Sequence, residues 1–216
     1  MRVLVGKASL RRALLWVQRV LFAGAILMLG YCGFVLVDAW IFQHRERQSL
    51  ELLLHEEHAA KGPSTTAPAA PGSIPAIGPF IGPAIGPDGL IGSMEIPRIG
   101  VAVVVVEGTG KATLRRAAGH IVGTGLPGRP GNVGIAGHRD TFFLPLRNVQ
   151  RDDLITLTTL RGEFRYRVVS IKVVGPYDVA VLNPDGTEIL TLVTCYPFNF
   201  VGAAPERFIV RAERIT

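Results

Sequence analysis

Cysteine is nearly missing from this chain, with Cys32 and Cys195 the only two in 216 residues. Cys32 falls inside a long uncharged apolar stretch, which separates it from Cys195, so an intramolecular disulfide framework is not expected. Phosphate-binding P-loops, HEXXH helices and paired CXXC ligands are absent as well, so neither nucleotide nor metal is demanded and no cofactor is expected. His55 and His58 lie three residues apart, but no cysteine or further histidine joins them, and they are read as surface residues rather than a metal site. The tripeptide at residues 138–140, HRD, lacks the glycine-rich loop and DFG that a kinase would add.

A basic stripe is also lacking, although the net charge is +6. Much of the excess comes from Arg2, Lys7, Arg11, Arg12 and Arg19, ahead of the apolar stretch. From Arg98 onward both signs are interspersed, which argues against a nucleic-acid partner.

Residues 20–37 hold no charged side chain, and as a helix they extend about 27 Å, close to a bilayer core. Trp16 and Trp40 bracket the stretch at interfacial depth, and Arg19 can reach back to the headgroups. A single membrane anchor is expected over residues 20–40. The basic segment 1–19 then stays in the cytoplasm and everything beyond lies outside it, by the positive-inside rule. A cleaved signal peptide is the competing reading. The stretch is longer than a signal-peptide core, and residues 38–40 make a poor cleavage site.

Three further segments follow. Residues 41–61 read as a juxtamembrane helix, since leucines 50, 53 and 54 recur at helical spacing among charges; a solvated stalk is the plain alternative. Residues 62–92 are rich in Pro, Gly, Ala and Ser, with IGP repeated at Ile77, Ile81 and Ile85, and are expected to form a spacer without helix or central strand. Residues 93–216 are long enough for one core. Their short β-branched runs, such as VAVVVVEG, NVGIAGH and TEILTLVTC, are separated by Gly, Pro, Asn and Asp, and predict an all-β, largely antiparallel barrel or sandwich. Helix is expected only over residues 111–120 and after Asp140.

Three side chains stand where strand-like runs begin or end. Cys195 closes the run in TLVTCYPF, His138 closes GNVGIAGH, and Arg207 opens RFIVRA. A thiolate attacks a carbonyl, an imidazole takes and returns the proton, and a guanidinium offers fixed donors to an oxyanion, so the trio points to acyl transfer. Each also has a plain reading: a buried thiol, a capping histidine, and an arginine paired with Glu206 or Asp140. Asp140 itself is either an orienter of His138 or a helix N-cap or turn residue, and the cap or turn is the expectation.

The motifs GNVGIAGHRDTFF, TLVTCYPF and APERFIVRA, in that order after MEIPRIGV and GHIVGTGLPGRPGN, resemble those of the sortases, membrane-anchored cysteine transpeptidases. The YPF after the cysteine is most similar to class D. The resemblance implies a sortase-like β-barrel with short helices, with Cys195 as nucleophile, His138 as acid–base and Arg207 as the oxyanion or substrate clamp. It further implies cleavage of an LPXTG-like sorting signal near a client protein's C-terminus and transfer of the acyl group to an amine in the cell envelope. Thr194 and His120 are candidates for substrate binding, with packing the expected role for His120. The acidic-aromatic lid of pilin-polymerising relatives has no match, since Asp88 is followed by glycine, so surface anchoring is expected. An L,D-transpeptidase is disfavoured by the missing SHGC motif. The non-enzymatic alternative is a tethered β-domain for adhesion or envelope assembly.

Overall fold

The computed structural model describes residues 7–60, 85–184 and 186–215. The expected spacer therefore lies largely outside the described residues. The chain forms two compact units, Met1–Ile41 and Phe42–Thr216. Helix α1, Lys7–Ala60, supplies the first unit and opens the second.

In the first unit the helix exposes apolar side chains on every side, Leu21, Phe22, Leu27, Met28, Leu29 and Phe34 among them. A helix apolar all round satisfies its own backbone polar groups and has the make-up of a membrane span. Leu14–His55 contains a window of mean hydropathy 2.4, and this is the one helix among the described residues long and apolar enough to cross a membrane.

The second unit is a closed eight-stranded barrel. Its strands are β1 Leu90–Ile96, β2 Val101–Glu107, β3 Ala118–His120, β4 Gly131–Ala136, β5 Leu154–Thr159, β6 Gly162–Val174, β7 Glu188–Tyr196 and β8 Glu206–Ile215. Around the barrel the order is β1-β2-β3-β4-β7-β8-β6-β5. Two junctions, β2 with β3 and β4 with β7, are parallel, and the rest are antiparallel. Inward positions alternate along each strand, as in Val133 and Ile135 of β4, Leu190 and Leu192 of β7, and Val210 and Ala212 of β8, all in one core.

Two expectations need correction. Residues 111–120 are not one helix: α2 covers only Lys111–Arg116, and Ala118–His120 turns into β3. Ala117 and Ala118 are fully buried, and a Cβ on Gly119 would lie 2.2 Å from the carbonyl oxygen of Gly108. Only a chain of such small residues fits so close to the end of β2, and that packing overrides alanine's helix propensity. The stretch after Asp140 is a turn followed by a short 3-10 helix, Leu144–Asn148. In addition, β1 starts at Leu90, so three residues of the expected spacer are strand.

The later part of α1 is packed, not a solvated stalk. Leu50 is 3% exposed and joins Leu90, Val104, Val106, Ala117 and Leu160 in a second apolar cluster, with Phe42, Leu53 and Leu54 against it. Pairing of β3 with β2 begins only at Val105. The Val104 amide beyond that point donates to Gln43 Oε1 at 2.8 Å, and Gln43 Nε2 donates to the Arg116 carbonyl at 2.6 Å. One side-chain amide thus satisfies a strand edge and a helix C-terminus together.

Arg98 grips Asp153 through two nitrogens, Nη2 reaching Oδ2 at 2.6 Å, and donates to the Asn148 carbonyl as well. Asp153 also accepts the Gln150 amide at 2.8 Å. The Arg98 hydrogen bond holds its carboxyl below the usual range, against the opposing effect of burial. Tyr166 lies fully buried in the core, and burial pushes its phenol up to about 12.

Candidate active site

Strand β7 runs between β4 and β8, and the site is built where these three strands end. In the antiparallel β7–β8 ladder Cys195 pairs directly with Arg207. Side chains so opposed leave the same face with Cβ atoms about 5 Å apart. Leu192 and Val210 point into the core, so by alternation Cys195 and Arg207 leave the outer face. The parallel β4–β7 ladder ends with Ala136 opposite Val193. Two residues further along each chain lie His138, in the turn beyond β4, and Cys195, still on β7, which brings the imidazole-bearing turn to the level of the thiol. Cys195 and Arg207 are half-buried and His138 is exposed, so all three are open to a substrate.

The turn bearing His138 is held on several sides. Gly137 donates its amide to the Val193 carbonyl at 3.1 Å, and Thr194 Oγ1 donates to the Gly137 carbonyl at 2.7 Å. The His138 carbonyl accepts the amides of Thr141 and Phe143. Gly137 must remain glycine, because a Cβ there would meet the buried Phe143 ring at 2.8 Å. Tyr196, Phe198 and Phe208 form an aromatic cluster near the cysteine in sequence and register, with the Phe198 and Phe208 rings edge-on at 5.1 Å and packed against the core.

Arg207 directs Nη1 at the carbonyls of Ala204 (3.2 Å) and Glu206 (2.9 Å), and these are its only hydrogen bonds among the described residues. The plain reading of a carboxylate pair with Glu206 or Asp140 is not realised. Asp140 is exposed, sits in a turn and accepts from Arg139 instead, so it is placed as a turn residue.

Thr194 and His120 are engaged elsewhere. The Thr194 hydroxyl is buried in its bond to Gly137. His120 is 2% exposed; Nδ1 lies 2.7 Å from Glu107 Oε2, and Nε2 lies 2.8 Å from the Gly125 carbonyl. Both nitrogens thus meet protein atoms, which favours packing over a place in the substrate groove. No group of three or more potential metal ligands occurs among the described residues.

Two supporting side chains were missed in the residue pattern. Asn132 is buried, accepts the Thr191 hydroxyl at 2.7 Å and donates to the Val181 and Asn183 carbonyls, tying the segment before β7 to β4. Arg139, next to His138, binds backbone carbonyls of the segment between β7 and β8. Only adjacency to His138 marked it in the sequence.

A family model described as Sortase domain matches residues 94–215. The chain is 30% identical to Sortase D of Bacillus subtilis (strain 168) over 200 residues, covering 91% of this chain and 96% of that protein. Among solved structures it is similar to a Clostridium perfringens Sortase D5 transpeptidase, at 27% identity and a TM-score of 0.61, covering 81% of this chain and 99% of that one. Sortase A from Corynebacterium diphtheriae is 35% identical with a TM-score of 0.55, over 59% of this chain and 61% of that one.

Proposed function

Because this chain belongs to the sortase family of cysteine transpeptidases, we propose that it cleaves an LPXTG-like sorting signal near the C-terminus of client proteins. The acyl group then passes to an amine of the cell envelope. The N-terminal helix holds the enzyme at the membrane, with the barrel on the extracytoplasmic side. The observation that carries this reading is the direct pairing of Cys195 with Arg207, with His138 at the same level in the turn that follows the neighbouring strand.

The chemistry runs in two halves. His138 takes the thiol proton, and the Cys195 sulfur adds to the carbonyl carbon of the signal's threonine, giving a tetrahedral oxyanion. Arg207 donates to that oxygen, or to the neighbouring substrate carbonyls, with a fork already aligned by the Ala204 and Glu206 carbonyls. The C–N bond breaks as His138 protonates the departing amine, leaving a thioester on Cys195. In the second half His138 deprotonates the incoming amine, which displaces the thiol and reforms an amide. No cofactor enters either step.

The test is to incubate the full chain in detergent with a peptide carrying a candidate signal and to look for a thioester adduct by mass spectrometry. Adduct formation that disappears in Cys195→Ala, with ping-pong kinetics when an amine is added, is the expected result. A chain that binds the peptide without forming an adduct is instead a tethered β-domain.

A further inference from the structure

Arg139 is 6% exposed, an uncommon place for a guanidinium. Its nitrogens reach out along one segment: Nη1 donates to the Pro197 carbonyl at 2.8 Å, and Nη2 donates to the Phe200 carbonyl and, at 3.4 Å, to that of Gly202. Nε donates to Asp140 Oδ1 at 3.2 Å, and the cationic carbon stands 5.9 Å from the centre of the Phe200 ring. The segment so gripped, residues 197–205, begins two residues after Cys195 and ends two before Arg207. It has few other ties, the Phe200 amide to the Pro197 carbonyl at 3.4 Å being one, and Val201 at its tip is 95% exposed.

We propose that Arg139 is the positioning residue of the site: it fastens the segment joining Cys195 and Arg207 to the turn that carries His138, and so sets the imidazole's place relative to the thiol. The inference rests on Cys195, His138 and Arg207 being the reacting set. The backbone gives the reason such a clamp is needed. The regular β4–β7 ladder stops at Ala136 and Val193, and β7 ends at Tyr196, so neither the histidine nor the exit from the cysteine is fixed by further strand pairing. The Thr194 and Val193 bonds hold only the near side of the turn, at Gly137. Arg139 holds the far side. A planar fork spans carbonyls three and five residues apart, which an ammonium, a single point of charge, does not.

Removing the clamp leaves carbonyls that water can reach, because residues 199–203 are exposed, so the barrel persists while the segment loosens. A loss of alignment lowers turnover of the bound substrate more than it weakens binding, on the order of ten- to a hundredfold.

The experiment compares the full chain in detergent with its Arg139→Ala, Arg139→Lys and Arg139→Gln variants. Three readouts are kcat and KM for a signal peptide, counted per titrated thiol; the pH dependence of Cys195 alkylation by iodoacetamide; and thermal unfolding. Expected are a fall in kcat with a smaller change in KM, a displaced alkylation profile, no recovery in the lysine variant, and partial recovery of Arg139→Ala by millimolar guanidinium well below denaturing levels. An arginine that only supports the fold gives a different pattern: a lower melting temperature and fewer titratable thiols, but unchanged kcat per thiol and an unchanged alkylation profile. That pattern overturns the proposal. Should Arg139→Ala fail to fold, the same comparison is made with Arg139→Gln, which keeps an amide donor. Turnover that survives in Cys195→Ala would instead remove the reacting set itself, independently of Arg139.

Discussion

Cys195 and Arg207 are cross-strand partners in the β7–β8 ladder, so the guanidinium is delivered to the thiol by strand register and not by a mobile loop. Arg207→Lys is therefore expected to be nearly as damaging as Arg207→Ala, since an ammonium does not reproduce the planar fork. Loss of an oxyanion donor costs on the order of a hundredfold or more in turnover. Peptide cleavage measured beside thermal unfolding checks this, and near-normal turnover in the lysine variant removes Arg207 from the site.

The two histidines should separate cleanly. His138→Ala is expected to keep the melting temperature and lose on the order of a hundredfold or more in turnover, the scale of a general acid–base group. His120→Ala is expected to do the reverse, because its ring is buried between Glu107 and Gly125. Unfolding scans and steady-state cleavage of both variants decide the matter; equal activity losses would place His120 in the site after all.

Acid should weaken the barrel through Asp153. Its folded carboxyl titrates below its unfolded value because Arg98, and then the Gln150 amide, bond the charged form. The unfolded chain consequently takes up the proton first. The stabilisation is complete above about pH 4, the ordinary aspartate range, and fades as pH falls through the lower folded value. Melting temperatures across that range should drop less steeply for Asp153→Asn than for the parent, and parallel curves would argue against the pair.

Leu50 should matter to a barrel to which it is remote in sequence. Leu50→Ala is expected to cost about 2–5 kcal/mol, the usual range for a buried leucine, read by denaturant unfolding. A chain begun at Phe42 should unfold at higher temperature than one begun at Ser93, which lacks α1 together with Leu90 and Ile91 of β1. Identical melting of the two truncations would falsify the packing role.

Orientation is tested separately. A reporter fused after Thr216 should be active only outside the cytoplasm, and protease added to spheroplasts should digest the barrel. Protection of the barrel would reverse the assigned direction.

The strands were legible because burial on a barrel wall demands β-branched runs broken by turn residues, and those runs mark all the strands but one. The exception, β3, is three residues long, and Ala117 and Ala118 at its start read as helix because nothing in them announces the nearby Gly108 carbonyl. Cys195, His138 and Arg207 stood out because each is a chemically loaded side chain at the edge of an apolar run. The Arg139 clamp did not, since its partners are main-chain carbonyls, which residue identity cannot advertise. Leucines 50, 53 and 54 disclosed an apolar helix face but not the strands that it covers.

The parallel junction of β4 with β7 has a temporal side. Gly137 and Thr194, bonded across it, are 57 residues apart in the chain. Pairing of this kind forms late, because closing so long a loop precedes any reward from the contact. Until the intervening strands have wrapped round, Cys195 and the turn that carries His138 are not brought to the same level of the sheet. Assembly of the proposed site thus waits for closure of the barrel, and a chain still unfolded does not yet hold the proposed reacting set in one place.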